Sequence, residues 1–188
     1  MKLDSLKLIG TWLNCPCEDR LVKGFAFDSR EIEEGFLFFA LRGQKFDGHD
    51  FLQDVGKKGA VAAVVDKTYK GETGGLILLF VDDVTLALQK LAAEVQKRRN
   101  QRIIAITGSV GKTTTKEFLS TLLSQKFSVA KTPGNSNSQV GLPLSILRAT
   151  GEEELFIVEM GMIEFGQIEK LVQIAPPEIA VITKVGYS

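Results

Sequence analysis

The segment that most constrains the fold spans residues 103–114, where an apolar run leads into a glycine-containing turn and then into Lys-Thr-Thr. This order predicts a buried strand, a tight turn and the start of a helix. Glycines in such a turn let backbone N–H groups face an anion, and the N-terminus of the helix adds partial positive charge. The segment therefore predicts a phosphate-binding turn at the edge of a parallel sheet, with ATP as the ligand.

The turn is a shortened form of the phosphate-binding pattern G-x-x-x-x-G-K-[ST], because the first glycine position falls on Ile106. In this pattern the lysine reaches the β and γ phosphates, and the threonine hydroxyl joins the Mg²⁺ ligands. A plain glycine turn with an exposed lysine is the alternative interpretation. The residues expected to bind ATP are Gly108, Ser109, Val110, Gly111, Lys112, Thr113 and Thr114.

Two other polar segments are expected on the same edge of the sheet. Glu159 stands at the carboxyl end of an apolar strand predicted over residues 155–160, where open parallel sheets bind their ligands. A carboxylate there is costly without a partner, and Mg²⁺ prefers oxygen ligands. The loop over residues 132–143 is rich in glycine and in amide side chains. We therefore expect Glu159 near a metal ion and the loop near a ligand, although a solvent-facing glutamate and an ordinary loop remain alternatives.

Strands and helices alternate throughout the second half of the chain, which is typical of a parallel sheet with right-handed crossovers. Strands are predicted over residues 103–107, 127–131, 155–160 and 179–183, and helices over residues 112–124, 141–148 and 168–174. Because the chain stops shortly after the last strand, we expect this P-loop domain, residues 101–188, to be partial.

The first half, residues 1–100, predicts a separate small domain with mixed α/β structure. Strands are predicted over residues 25–29, 36–41, 60–65 and 76–81, and a short helix over residues 50–58. Apolar side chains in residues 84–99 recur with the 3.6-residue period of an amphipathic helix. The polar stretch 97–102 is the predicted linker. The expected fold class is therefore α/β, with this domain preceding the partial parallel-sheet ATPase domain.

Charge and hydropathy exclude several classes of protein. The chain has 188 residues with 23 basic and 23 acidic side chains, so no broad electrostatic binding of nucleic acid or anionic membranes is expected. No apolar run reaches the ~18 residues of a membrane span, and the N-terminus is a poor signal peptide. We therefore expect a cytoplasmic protein.

Cys15 and Cys17 flank a proline, far from His49, so reduced thiols are expected rather than a metal site.

Four motifs together resemble the Mur ligases, the ATP-dependent amide-forming enzymes of peptidoglycan synthesis. Three of them occur in the order and spacing of that family: Thr107-Gly-Ser-Val-Gly-Lys-Thr-Thr, Gly134-Asn-Ser-Asn-Ser-Gln-Val-Gly-Leu-Pro and Val158-Glu-Met-Gly. The fourth, Asp28-Ser-Arg with the stretches over residues 35–40 and 43–50, looks like the domain that holds the UDP end of the substrate. The resemblance covers essentially the whole chain.

The Gly-Asn-x-Asn loop is most similar to the family member that adds D-Ala-D-Ala to UDP-N-acetylmuramoyl-tripeptide through an acyl phosphate. The resemblance therefore implies a monomeric ligase that uses ATP and Mg²⁺, with these two small molecules as its other substrates. A tripeptide-forming member of the family and a non-catalytic module that binds a UDP-sugar or a nucleotide are the alternatives. An unrelated P-loop kinase is disfavoured, because it would have no use for the Asp-Ser-Arg segment.

The resemblance also implies roles for individual residues. Lys112 and either Asn135 or Asn137 would lie at the centre of phosphoryl transfer, and Thr113 and Glu159 would hold Mg²⁺. His49 is expected to bind or to support rather than to act in acid–base catalysis, since it is remote in sequence from the ATP motif. The residues expected to contact the UDP end are Ser29, Arg30, Gly43, Phe46, Asp47, Gly48 and His49.

The end of the chain departs from the family pattern. Lys184 stands where members commonly have Asn, and the metal-associated His of the family would fall just beyond Ser188. Family members are also considerably longer. We therefore expect the chain to be an N-terminal portion of such a ligase, and we expect that it does not complete the reaction by itself.

Overall fold

The computed structural model describes residues 3–186, which divide into two compact units, residues 3–91 and residues 92–186. The boundary lies inside a helix, α3, that runs over Val84–Arg98. The expected division into domains at residues 1–100 and 101–188 stays a prediction. The predicted linker, residues 97–102, is not a loop, because it contains the end of α3 and the start of a strand, with Arg99 and Gln101 buried between them.

The first unit is built on a four-stranded parallel sheet in the order β1-β2-β3-β4. Every strand is short and apolar, and the side chains of β2 and β3 are almost entirely buried, as expected for a sheet covered on both faces. Two 3₁₀ helices, Ser29–Glu31 and Gly48–Phe51, follow β1 and β2. The other elements of the unit, besides the start of α3, are α1 Leu6–Trp12, β1 Gly24–Ala26, β2 Phe36–Phe39, α2 Leu52–Lys57, β3 Ala62–Asp66 and β4 Ile77–Val81.

Two elements of the first unit differ from the sequence prediction. Helix α1 was not predicted; Ser5 caps it by accepting a hydrogen bond from the backbone N–H of Leu8. The strand predicted over residues 25–29 ends at Ala26, because the Asp28 side chain accepts a hydrogen bond from the backbone N–H of Arg30 and starts a 3₁₀ turn. A short acidic side chain that bonds its own backbone competes with the strand ladder.

The second unit is built on a parallel sheet in the order β6-β7-β5-β8. Two of its side-chain rows, one on β5 and one on β7, form an apolar cluster with residues of helix α4. That face of the sheet therefore carries α4. The elements of this unit that follow α3 are β5 Arg102–Thr107, α4 Lys112–Leu123, β6 Val129–Lys131, α5 Gly141–Arg148, β7 Leu155–Glu159, α6 Gln167–Ile174 and β8 Ile179–Ile182.

The α4 face of the sheet follows from the two-residue period of a strand. Ile104 and Ile106 of β5 pack with Leu155 and Ile157 of β7, and Leu119 and Leu123 of α4 pack against them. Continuing the β7 row by two residues reaches Glu159. The last residue of β7 therefore turns toward the helix that starts at the phosphate turn.

Arg99 provides a stability test for the second unit. It is 7% exposed, burial lowers the pKa of its guanidinium, and it donates hydrogen bonds to the carbonyl oxygens of Ile146 (2.6 Å) and Ala149 (2.7 Å) at the end of α5. We predict that Arg99→Met lowers the free energy of unfolding by about 2–4 kcal/mol, because it removes the Arg99 donors from the buried carbonyl of Ile146 and the partly buried carbonyl of Ala149. Urea denaturation followed by circular dichroism measures this loss.

The control is Arg102→Met, which removes a largely exposed ion pair with Glu178. We expect it to cost less than about 1 kcal/mol. Equal losses for the two variants would contradict the capping role of Arg99.

Candidate active site

The turn between β5 and α4 has the backbone conformation that its glycines predict. Gly108 has a φ of +133° and Gly111 a φ of +91°, a region that side chains with a Cβ rarely adopt. A Cβ on Gly108 would also lie 2.3 Å from the Thr183 hydroxyl. Gly111 immediately precedes Lys112, the first residue of α4. The turn therefore depends on both glycines, and it directs the start of α4 to the carboxyl edge of the sheet.

Lys112 bends back over this turn. Its ammonium donates a hydrogen bond to the carbonyl oxygen of Gly108 at 2.7 Å, so the cation lies above the loop that precedes it. Thr113 follows with its hydroxyl pointing toward the sheet, and Thr114 is exposed. The cation and the first hydroxyl of α4 are thus on the side of the turn where a phosphate was expected.

Glu159 is buried at the end of β7, with 1% of its surface exposed. Its Oε2 accepts a hydrogen bond from the Thr113 hydroxyl at 2.8 Å, and its Oε1 accepts one from the Asn137 side-chain amide at 2.7 Å. Its backbone N–H donates to the Thr132 hydroxyl at 3.1 Å. The structure therefore brings together Thr113, Glu159 and Asn137, three residues that the sequence motifs singled out separately.

The amide-rich loop joins this cluster through its last asparagine. The carbonyl oxygen of Asn137 accepts from the backbone N–H of Gly161 at 2.9 Å, and a Cβ on Gly161 would lie 2.9 Å from Asn137 Cγ. Asn135 contributes its carbonyl oxygen to the backbone N–H of Asn137 at 2.7 Å. Of the two asparagines left open by the sequence, Asn137 is the one whose side chain contacts Glu159.

Sequence reasoning missed Lys116, which lies one helical turn after Lys112 and is completely buried. Its ammonium donates to the carbonyl oxygen of Gly134 and lies 3.8 Å from Glu159 Oε2 and 3.4 Å from Glu117 Oε1. The i,i+4 spacing from Lys112 was the available signal, because it puts both lysines on one face of the helix.

Residues 183–186 lie across the phosphate turn. The carbonyl oxygen of Lys184 accepts from the backbone N–H of Ser109 at 2.7 Å, and the Ser109 hydroxyl donates to the carbonyl oxygen of Gly186 at 2.9 Å. The Thr183 hydroxyl donates to the carbonyl oxygen of Val110 at 2.7 Å. Ser109 and Val110, both expected to face ATP, are thus engaged by this segment. Lys184 takes part through its backbone, and the last residues of the departure from the family pattern, 187–188, lie outside the described residues.

The residues predicted to hold a UDP group lie in two loops of the first unit. The first follows β1, where the Asp28 carboxylate holds the Arg30 guanidinium through a 2.9 Å bond to Nε. Those hydrogen bonds from Arg30 lower the pKa of Asp28 to about 2. The carbonyl oxygen of Ser29 accepts from Lys58 Nζ at 2.8 Å. Asp28 and Arg30 thus form a preset pair whose guanidinium stays exposed.

The second loop follows β2 and is closed by its own hydrogen bonds. The backbone N–H of Gly43 donates to the carbonyl oxygen of Phe46 at 2.9 Å, and Arg42 Nε donates to the Asp47 carboxylate at 3.1 Å. A Cβ on Gly48 would lie 2.7 Å from the backbone nitrogen of Leu41. The loop therefore packs tightly at its base, and the Phe46 ring, 71% exposed, stands at its tip.

His49 is buried beneath the second loop, and both of its ring nitrogens have partners. The backbone N–H of Asp66 can only donate, so Nε2, 3.0 Å away, is the acceptor and Nδ1 carries the proton. Nδ1 lies 2.5 Å from the Asp47 carboxylate. His49 therefore fixes the loop against the end of β3. A direct contact with a ligand stays a prediction.

The donor set beside the phosphate turn suits a hard cation that also takes phosphate oxygens. The Thr113 hydroxyl donates its hydrogen bond to Glu159, so the lone pairs of its oxygen can face a cation. Mg²⁺ prefers such oxygen ligands. Within residues 3–186, no group of three or more His, Cys, Asp or Glu side chains could hold a metal unaided. Thr113 and Glu159 would supply two of the six oxygen ligands that an octahedral Mg²⁺ takes, so phosphates or waters would supply the others. No helix in the same residues is long and apolar enough to cross a membrane.

Comparisons with known proteins match both halves of the chain to one family. The Mur ligase family, catalytic domain, matches residues 21–125, and the Mur ligase middle domain matches residues 106–188. The UDP-N-acetylmuramoyl-tripeptide–D-alanyl-D-alanine ligase of Bacillus subtilis is 38% identical over 95% of this chain and 39% of its own length. The Synechocystis ligase of the same name is 41% identical over 90% of this chain and 37% of its length. The chain spans about two fifths of these curated relatives.

Solved structures agree with the sequence matches. The MurF ligase from Thermotoga maritima, in complex with ADP, has a TM-score of 0.78 and 42% identity over 88% of this chain and 38% of that one. The corresponding ligase from Acinetobacter baumannii has a TM-score of 0.87 and 30% identity over the whole chain and 43% of its own. These structures confirm the α/β fold class expected from the sequence, and the family matches confirm the resemblance carried by the four motifs. The protein belongs to the Mur ligase family.

Proposed function

We propose that this chain takes part in the ATP-dependent addition of D-alanyl-D-alanine to UDP-N-acetylmuramoyl-tripeptide, in the synthesis of peptidoglycan. The second unit would bind the ATP phosphates and the first unit the UDP end of the tripeptide. The observation that carries the proposal is the cluster of Thr113, Glu159 and Asn137 beside the turn under Lys112. The relatives with 38% and 41% identity, both named for this reaction, support it.

The proposed reaction has two steps. The terminal carboxylate of the tripeptide attacks the γ-phosphorus of ATP, which forms an acyl phosphate and releases ADP. The amine of D-Ala-D-Ala then attacks the acyl carbon, an amide forms, phosphate leaves, and the amine loses its proton. Lys112 would lie over the transferred phosphoryl group and stabilise its charge, because preset cations act strongly in a water-poor site. The Asn137 side chain, held by Glu159, would line the same centre.

Thr113 and Glu159 are the proposed holders of Mg²⁺. When bound, the metal would neutralise negative charge on the phosphates. The chain's own contribution is to fix the Thr113 hydroxyl by the 2.8 Å bond to Glu159, so that its lone pairs have one orientation. ADP in the structure of the Thermotoga maritima relative supports the nucleotide assignment. Since ATP and a UDP-linked precursor are the proposed substrates, the proposal includes a cytoplasmic location. A monomeric enzyme is a separate part of the proposal.

In the first unit, the exposed Arg30 guanidinium and the loop over residues 43–48 would contact the UDP end. An arginine fork matches the geometry of a pyrophosphate, and Asp28 holds that fork in place. Phe46 would cover the ligand from the tip of its loop, while His49 would keep the base of the loop fixed. Because the chain spans about two fifths of the length of its relatives, binding rather than turnover is the property to measure.

We predict that Lys112→Ala weakens the binding of ADP by about tenfold to a hundredfold, since a hydrogen bond to a charged group contributes ~1.5–3 kcal/mol. The binding of UDP should be unchanged, because Lys112 and the proposed UDP loops belong to different units. Isothermal titration calorimetry with each nucleotide measures both constants. Equal losses for the two ligands would overturn the assignment of two separate sites.

Mg²⁺ is expected to raise the affinity for ADP. We predict that Glu159→Gln reduces this Mg²⁺-dependent gain by about tenfold to a hundredfold. The amide keeps the size of the side chain but loses the negative charge that attracts the cation. Titrations of ADP with and without Mg²⁺ give the gain directly. Glu152→Gln, an exposed carboxylate before the start of β7, is the matched control and should leave the gain unchanged. A full Mg²⁺ gain in Glu159→Gln would remove this residue from the metal site.

We predict that Asp28→Asn weakens UDP binding about twofold to fivefold, as expected for a largely exposed ion pair worth ~0.2–1 kcal/mol. Because the folded pKa of Asp28, about 2, lies below its ordinary 3.8, the pair stays intact above about pH 4. The pair is lost only as the pH falls through the folded value. UDP affinity of the unmodified chain should therefore be insensitive to this carboxylate between about pH 4 and 7, and a loss that tracks an ordinary aspartate pKa would contradict the pairing.

A further inference from the structure

Lys116 is completely buried, and the sequence motifs assign it no role. Lysine is almost never removed from water unless it is paired. Its ammonium donates a hydrogen bond to the carbonyl oxygen of Gly134, and it forms ion pairs with Glu117 Oε1 at 3.4 Å and Glu159 Oε2 at 3.8 Å. Two of these partners, Gly134 and Glu159, belong to the proposed site.

The second observation concerns the groups that surround the Glu159 carboxylate. Its hydrogen-bond partners, the Thr113 hydroxyl and the Asn137 amide, are both neutral. Among the described residues, Lys116 is the one cation within 4.0 Å of this buried carboxylate. An uncompensated charge in such a place is strongly unfavourable, so Lys116 supplies what the neutral donors cannot.

The contacts also close a ring. Lys116 holds Gly134, the first residue of the loop over residues 134–137, and Asn137 at the other end of that loop holds Glu159. Glu159 in turn faces Lys116 and Thr113 on α4. The two ends of the loop that carries Asn135 and Asn137 are thus fixed to one charged pair.

We propose that Lys116 is a positioning residue that serves as the resident counter-charge of Glu159 before a divalent cation binds, and that it holds the amide-rich loop in place. The proposal rests on the proposed function, in which Glu159 faces Mg²⁺. It has two consequences of opposite sign. Without Lys116 the metal-free protein is less stable, and at the same time the carboxylate attracts a divalent cation more strongly. A lysine that merely fills space would produce only the first effect.

The test is Lys116→Met, which keeps the length of the side chain and removes its charge. We expect the midpoint of thermal unfolding without metal to fall by about 5 °C or more. We also expect the Mg²⁺-dependent gain in ADP affinity, measured by calorimetry on the whole chain, to rise about tenfold, because a nearby positive charge no longer opposes the cation. Lys116→Arg keeps the charge and should keep the gain of the unmodified chain.

Lys170→Met is the matched control. Lys170 is exposed on α6, so its loss should change neither the stability without metal by a comparable amount nor the Mg²⁺ gain. A lower melting midpoint in Lys116→Met with an unchanged gain would overturn the proposal and leave the proposed function intact. A protein in which Mg²⁺ gives no gain even without substitution would instead overturn the metal site itself.

A double variant keeps the proposal testable if Lys116→Met does not fold. Lys116→Met combined with Glu159→Gln removes both charges of the pair and leaves neutral groups of similar size. We expect this double variant to fold and to melt above Lys116→Met. A double variant that is as unstable as the single one would show that the two residues are not coupled, and the proposal would fail.

Discussion

The second unit is organised around a carboxylate that has been taken out of water. Glu159 ends a completely buried strand, and burying an ionised group is costly unless donors and a cation surround it. Two separate chain segments meet that demand: α4 supplies Thr113 and Lys116, and the amide-rich loop supplies Asn137. The Thr132 hydroxyl fixes the backbone instead, by accepting from the N–H of Glu159. Because these contacts all lie within the chain, the polar groups of the site fix one another. Preset polar groups of this kind do not have to reorganise when charge moves during a reaction.

The register of the sheet puts the carboxylate where it can be used. Ile106 of β5 pairs with Glu159 of β7, so the strand that leads into the phosphate turn and the strand that ends in Glu159 terminate side by side. The two-residue period then turns Glu159 to the face that carries α4, whose apolar side packs on Ile157 two residues earlier. Strand pairing, hydrophobic packing and the glycine turn therefore agree on one arrangement. A shift of one residue in this pairing would turn Glu159 away from Thr113.

The sequence predicted the parts of this arrangement that depend on local rules. Residue order predicts the glycine turn before Lys112 and the glutamate at the end of an apolar strand. It also predicts that both lie at the same edge of a parallel sheet. The spacing from Lys112 indicates the helix face of Lys116 but not its burial, because a lysine in an amphipathic helix is normally exposed. Its burial depends on Gly134 and Glu159, which are distant in the chain. The end of β1 was missed for a related reason: Asp28 bonds its own backbone, and the apolar pattern does not register that competition.

Buried ion pairs contribute little net stability, since the cost of removing two charges from water offsets most of their attraction. The Lys116–Glu159 pair is therefore better understood through the geometry that it enforces. Replacing it with apolar residues could give an equally stable helix–sheet contact, but such a contact would hold neither the carbonyl oxygen of Gly134 nor a negative charge beside the Thr113 hydroxyl. The pair keeps a charged carboxylate in a dry position without any ligand, and it joins the helix of the phosphate turn to the amide-rich loop. Stability alone would not require a lysine and a glutamate at these two positions; a site that has to be charged and ordered before its substrates bind does.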